Sequence, residues 1–150
     1  MSTIWIDADA VPRAIKEVLF KASLKRQVKL IFVANSWLQL PKNHLIQLVK
    51  VSKGADVADD HIANSCKAGD LVITADIPLA ARVIDNGAAA LRPRGELLDE
   101  GNIKEKKSFR DFSTELRDLG MDTGGAPPFH KKDKQKFSNA LDRWLTRNGY

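Results

Sequence analysis

Cysteine is nearly absent. The 150 residues contain one, Cys66, which excludes an intrachain disulfide, whereas a secreted domain of this size ordinarily carries several. A reducing, cytoplasmic setting is the expectation. No run of about 18 apolar residues occurs, and Met1 to Thr3 lead straight into the apolar stretch Ile4 to Ile6 without a basic leader and long apolar core. Neither a membrane partner nor an export signal is expected. Repeats and low-complexity tracts are also missing, and His44 and His130 show none of the spacing that a zinc site needs. With 43% hydrophobic and 29% charged residues, disorder, collagen-like repeats and coiled coil are poor descriptions, and one globular domain over 1–150 is the natural reading.

The net charge of +5 is small enough to be explained by solubility alone, but its distribution is uneven. Residues 1–50 carry 8 Lys and Arg against 3 Asp and Glu, residues 51–100 carry 5 against 9, and residues 101–150 carry 11 against 7. An acidic middle lies between two basic flanks.

Thr3 to Asp7 reads as a strand that ends at a carboxylate, and Pro12, favoured in a first helical turn, precedes apolar spacing at Ile15, Val18, Leu19 and Ala22. A helix is expected from about Pro12 to Leu24, then a strand over Val28 to Ala34, completing a βαβ unit. Between Trp37 and Ile46 the pattern permits a short helix leading into a strand near Leu48 to Ser52. Further elements are expected as a helix over Asp56 to Cys66, a strand over Leu71 to Ala75, a helix opening at Pro78 and a strand over Ala88 to Leu91. This alternation implies a three-layer α/β/α sandwich with a mainly parallel sheet, its core within 1–95. Residues 96–150 read as a helical extension packed on that core, without strands. They include a possible helix over Glu105 to Leu119, a loop over Gly120 to Phe129 and a helix over about Asp133 to Arg147. In the last, Phe137, Leu141, Trp144 and Leu145 form an apolar stripe opposite Lys132, Lys136, Arg143 and Arg147. Such a basic stripe is either a solvated face or a surface for nucleic acid.

The chemistry lies in the aspartates. Asp7 and Asp9 end the first strand, two apart and therefore projecting to one side if the chain stays extended. Asp76 follows a later strand, while Asp56, Asp59 and Asp60 open the helix between. Ligands of open α/β sheets bind at the carboxyl ends of strands. Crowded carboxylates resist joint ionisation unless a cation compensates them, and all-oxygen ligation favours Mg²⁺ or Mn²⁺. Helix capping is the competing explanation, and for Asp56 a strong one. If Pro12 and Pro78 each take the first helical position, Asp9 and Asp76 fall outside the caps. His61 sits beside the acidic helix start, where a proton shuttle or an ordinary surface residue both fit. Asn35, Ser36 and Thr74 at strand ends are candidates to hold phosphate or metal-bound water, and capping or turn chemistry explains each about as well; Arg92 and Arg94 after the last strand are candidates to contact a phosphate, though an arginine pair near a Gly turn is a common surface feature.

Four blocks carry a resemblance. They are Asp7-Ala8-Asp9-Ala10-Val11-Pro12, Gly54 through Ile62, Gly69 through Ala80, and Thr123-Gly124-Gly125 with Phe129, Asp133 and Phe137. In this order and spacing the chain resembles the YaiI/YqxD family, a bacterial group whose fold is similar to the PIN domain of metal-dependent nucleases. That family commonly has cysteine where this chain has Val11, so no thiol is essential here. The resemblance implies that Asp7, Asp59 before Ile62, and the Thr74-Ala75-Asp76 segment occupy PIN-like positions. A further acidic residue of many PIN nucleases has no clear counterpart, with Asp9 or Asp56 as substitutes.

The activity implied is hydrolysis of a phosphodiester by metal-activated water. The expected catalytic residues are Asp7, Asp9, Asp59 and Asp76, and the expected ligands of Mg²⁺ or Mn²⁺ are these four and Asp56. The partner is nucleic acid, RNA in preference to DNA, held by Asn35, Thr74, Arg92, Arg94, Lys132, Lys136 and Arg143. One rival is a phosphatase of the haloacid dehalogenase type, with Asp7 as nucleophile and Asp9 as acid. Another is a nucleic-acid-binding module without turnover.

Overall fold

A computed structural model describes residues 1–54, 56–109, 119 and 128–150. The first strand, β1 (Thr3–Asp7), ends in a single 3₁₀ turn over Ala8–Ala10 and leads to α1 (Arg13–Arg26). Next come β2 (Lys29–Ala34), β3 (Ile46–Lys50), α2 (Val57–Ser65), β4 (Leu71–Ile73), α3 (Ile77–Asp85), β5 (Ala89–Leu91), β6 (Leu97–Leu98) and α4 (Lys131–Arg147). Residues 103–109 are also helical.

The strands form one sheet in the order β3-β2-β1-β4-β5-β6. All neighbours run parallel except the β5/β6 pair. The path moves outward from β1 through β2 to β3, then returns through α2 to β4 on the other side of β1. This is the doubly wound plan, and its topological switch point lies between β1 and β4.

Alternation along the strands feeds two apolar layers. Ile4, Ile6, Leu30, Phe32, Leu71 and Ile73 face α1 and α4, where they meet Ile15, Leu19, Phe137, Leu141 and Leu145. Trp5, Ile31, Val33 and Val72 point to the other side, against Ile62 of α2 and Leu79, Val83 and Ile84 of α3. A period of two in the strands therefore sorts neighbouring residues into opposite cores. Asp7 shares the parity of Trp5, which turns it toward the α2/α3 side.

Several expectations need correction. No helix forms between Trp37 and Ile46, and β3 begins at Ile46, two residues before the predicted strand. Pro41 and the backbone link from Leu30 N–H to Leu45 O favour an extended approach to the sheet. Residues after Gly95 are not strand-free, because Leu97–Leu98 pairs antiparallel with β5; a two-residue strand is too short to leave an alternation pattern. Pro12 is the N-cap of α1, and β4 stops at Ile73. The helix predicted over Glu105 to Leu119 is described only in part, and the loop over Gly120 to Phe129, with Thr123-Gly124-Gly125, lies almost entirely outside the described residues.

The turn between β5 and β6 seats α4. Gly95 has φ +95°, and a Cβ there would lie 2.6 Å from the Lys136 backbone carbon. Only glycine allows both that backbone conformation and so close an approach. Thus the start of α4 lies over the carboxyl end of β5. At the opposite edge, buried Asp70 accepts hydrogen bonds from Thr3 N–H, Trp5 Nε1–H and Lys67 N–H. Among the described residues no helix is long and apolar enough to cross a membrane.

Candidate functional site

The site starts at Asp7, the last residue of β1, which is 6% exposed. Its Oδ2 accepts a hydrogen bond of 3.0 Å from the fully buried Thr74 hydroxyl, just past β4. Thr74 Oγ1 in turn accepts the Asp76 N–H at 3.0 Å. Because that N–H supplies one proton to the oxygen, the hydroxyl's own proton is directed at Asp7. The relay joins β1 to β4 across the switch point.

Asp76 is the N-cap of α3, with Oδ1 accepting from Leu79 N–H at 3.0 Å. The placement outside the cap is thereby corrected: Ile77, not Pro78, is the first helical residue. Asp9 also departs from expectation. The 3₁₀ turn after Asp7 removes the extended geometry that would have aligned the two side chains, and Asp9 Oδ2 instead accepts the Asn35 N–H at 2.9 Å. This links the end of β2 to the rim of the site.

Helix α2 brings Asp59 near enough to Asp7 and Asp76 for their charges to repel, while Asp60 pairs with Arg82 at 2.8 Å. The three acidic residues of this helix start therefore do not share one role. Asp56 takes a left-handed N-cap conformation, φ 70°, and makes no side-chain capping bond, so capping does not explain its acidity.

The electrostatics record the crowding. Burial pushes the Asp7 carboxyl above the usual aspartate range; the Thr74 hydrogen bond opposes the shift, and Asp76 and Asp9 add to it. Asp59 is raised from 3.8 to about 6, first by burial, then by repulsion from Asp7, Asp76 and Asp56, with Arg82 opposing. Among the described residues none of Asp7, Asp9, Asp59 and Asp76 forms an ion pair. Nor, among those residues, do three or more His, Cys, Asp or Glu side chains stand close enough to hold an ion by themselves. The expected five-carboxylate ligand set is thus distributed around a crevice and not drawn into a cage.

Asp70 is an instructive contrast. It is as buried as Asp7, at 6% exposure, yet accepts three donors, while Asp7 accepts one hydroxyl. No buried side-chain oxygen or nitrogen among the described residues lacks a partner, so Asp7 Oδ1 is reached by solvent. Sequence reasoning gave Asp70 no role; the Trp at position 5, needing a buried acceptor for its indole N–H, was the available signal.

The predicted phosphate-holding groups are divided. Arg92 is paired with Glu96 at 3.1 Å, and Glu96 also takes Lys106 at 2.9 Å. Arg94 meets Asp133 at 3.2 Å. Arg94, Lys132 and Lys136 line one recess of about 680 Å³ together with His130, Lys131 and Asp133; Arg143 is exposed farther along α4 and outside it. His61 packs edge-on against Trp5, with ring centroids 6.2 Å apart. Cys66 is buried, and burial raises its thiol's pKa.

Residues 5–147 match the family model described as "Uncharacterized BCR, YaiI/YqxD family". The UPF0178 protein of Desulfotalea psychrophila is 58% identical over 144 residues, covering 96% of this chain and 97% of that protein. A UPF0178 protein of Maridesulfovibrio salexigens is 52% identical over 145 residues, covering 97% of this chain and 96% of its own length. No solved structure matches the chain.

Proposed function

The chain belongs to the YaiI/YqxD family, and from the carboxylates at its switch point we propose that it is a divalent-cation-dependent nuclease acting on phosphodiester bonds of RNA or DNA. One observation carries this reading. Asp7 is buried, held by a single hydroxyl and open at Oδ1, and it feels Asp9, Asp59 and Asp76 with no ion pair to balance them. Stability alone gives no reason to gather uncompensated carboxylates in this way.

The donor set is all oxygen, which suits Mg²⁺ or Mn²⁺. Its spread fits an ion that keeps several waters and takes one or two carboxylates together with a substrate phosphate, the usual habit of Mg²⁺. When bound, such an ion supplies an activated water and neutralises charge on the phosphorus oxygens. Asp7 would be the principal ligand, with Thr74 fixing its orientation from behind. Asp76 has Oδ2 available while Oδ1 caps α3, and Asp59 completes the acidic wall. Arg94, Lys132 and Lys136 would hold backbone phosphates, RNA in preference to DNA. The positions that the family resemblance assigns to Asp7, Asp59 and Asp76 agree with this reading.

Two features weigh against Asp7 as a phosphatase nucleophile. Helix α1 starts at Arg13, leaving no hairpin insertion after Asp9, and the Asp9 carboxylate is engaged by the Asn35 amide. The test is incubation of the protein and its Asp7→Asn variant with labelled single- and double-stranded RNA and DNA, in Mn²⁺, Mg²⁺ or chelator. Cleavage that requires the cation and disappears in Asp7→Asn is expected. Binding without cleavage, or cleavage that survives the substitution, would overturn the reading.

A further inference from the structure

Beyond β2 the chain leaves an indole in solvent. Trp37 is 78% exposed, although burying so large an aromatic is ordinarily favourable. It follows Asn35, whose amide is bonded to Asp9, so it stands at the same carboxyl edge of the sheet as the acidic crevice. Lys50 ends β3, in register with Ala34 of β2, and its Nζ lies 5.5 Å from the Trp37 ring centroid. That is cation–π range, and it leaves the other face of the ring uncovered by this ammonium. From Trp37 the chain passes directly into the wall of a recess of about 730 Å³, lined by Leu38, Leu40 and Pro41 on one side and by Lys16, Phe20 and the Arg13–Glu17 ion pair of α1 on the other.

We propose that Trp37 is a stacking platform for an unpaired base of single-stranded nucleic acid, with Lys50 and Lys16 placed to meet the adjoining phosphates. The inference rests on the nuclease reading and deepens it by naming the substrate class. An exposed aromatic face set among cations is the combination that single-strand binders use: the ring accepts any base, and the charges track the backbone. A base already stacked inside a duplex does not present its face to such a ring, so duplexes gain nothing from Trp37. Strands in a sheet are about 4.8 Å apart, so β3, which carries Lys50, is on the order of 10 Å from β1, which ends in Asp7. Lys50 has the parity of Ile46 and Leu48, on the α1 face, so a strand stacked there would cross the carboxyl rim of the sheet to reach the carboxylates on the α2/α3 face.

Binding and cleavage separate the two readings. Fluorescence anisotropy in chelator, with a labelled single-stranded oligonucleotide and its duplex, is to be measured for the wild type, Trp37→Ala and Trp37→Phe. Trp37→Ala should weaken single-strand binding about tenfold, Trp37→Phe should restore most of it, and duplex binding should not change. In Lys50→Ala the slope of log affinity against log salt should fall by about 0.7, the loss of one phosphate contact on a single strand. If Trp37→Ala binds single strands as the wild type does, or loses single-strand and duplex binding equally, the platform is refuted. The same holds if the wild type binds no single strand, or if Trp37→Ala alters only self-association in sedimentation, which would make the indole a contact between copies. Cleavage in Mn²⁺, measured separately, decides the nuclease reading: binding lost in Trp37→Ala without any turnover by the wild type keeps the platform and removes the nuclease.

Discussion

At the scale of single residues, the informative contrast is between two aspartates of equal burial. Asp70 is satisfied by three donors and pins β1 to the turn before β4. Asp7 has one donor and several like-charged neighbours, so its ionised form is costly unless a cation approaches. Asp59 shares that cost. Its pKa in the folded protein is raised to about 6 from an ordinary 3.8, so the folded state binds a proton more readily than the unfolded chain. In chelator, stability should therefore fall as pH rises from about 4 to about 6. Asp59→Asn should remove this part of the slope and raise stability near pH 7. Because Asp59 is only partly buried, the gain is discounted to about 1 kcal/mol, or roughly 2–4 °C in Tm for a chain of this size. Thermal unfolding of both proteins across that pH range checks it; a variant with the wild-type slope would show that the carboxylate is not under repulsion.

At the scale of elements, Asp76 serves a helix and a site together. Asp76→Asn keeps a side-chain oxygen for the Leu79 N–H, so α3 should keep its cap and stability should change little. Asp76→Ala removes the cap and should cost about 1 kcal/mol. Cleavage should fall in both if the charge serves the site, and only chemical denaturation should tell the two variants apart. The same residue marks the limit of what sequence discloses. β1 was legible because an apolar run stops at a carboxylate, and the βαβ unit and the presence of β4 and α3 followed from apolar periodicity, though β4 stops at Ile73, two residues before its expected end. One residue of boundary decided whether Asp76 was a cap, and a proline within the first helical turn allows either placement. The 3₁₀ turn at Asp9 was hidden because two aspartates separated by alanine read equally well as extended chain. β6 was too short to show alternation. The basic recess was only half legible: the lysines of α4 have helical spacing, but their meeting with Arg94 depends on Gly95, where a Cβ would lie 2.6 Å from the Lys136 backbone carbon.

At the scale of the whole molecule, the doubly wound sheet gathers part of the acidic middle. Of its nine acidic residues, Asp56, Asp59 and Asp60 come from the start of α2 and Asp76 from the β4–α3 junction, which the chain reversal places beside β1, whereas Asp70 lies at the opposite edge and Glu96 pairs with Arg92 and Lys106. The flanks supply α1 with the Trp37 loop, and α4, which packs beside α1 on the same face of the sheet. The net charge of +5 therefore hides a cluster of negative charge at the switch point and basic residues on α1 and α4; under the proposed reading the first would hold the cation and the second the polyanion. The central claim is that this crevice takes a divalent cation on Asp7. Calorimetric titration of the protein and Asp7→Asn with Mn²⁺ at pH 6, in two buffers of different ionisation enthalpy, tests it most directly. Wild-type binding accompanied by proton release from the crowded carboxyls, absent in Asp7→Asn, is the predicted result; equal heats from the two proteins, or no binding by either, would contradict it.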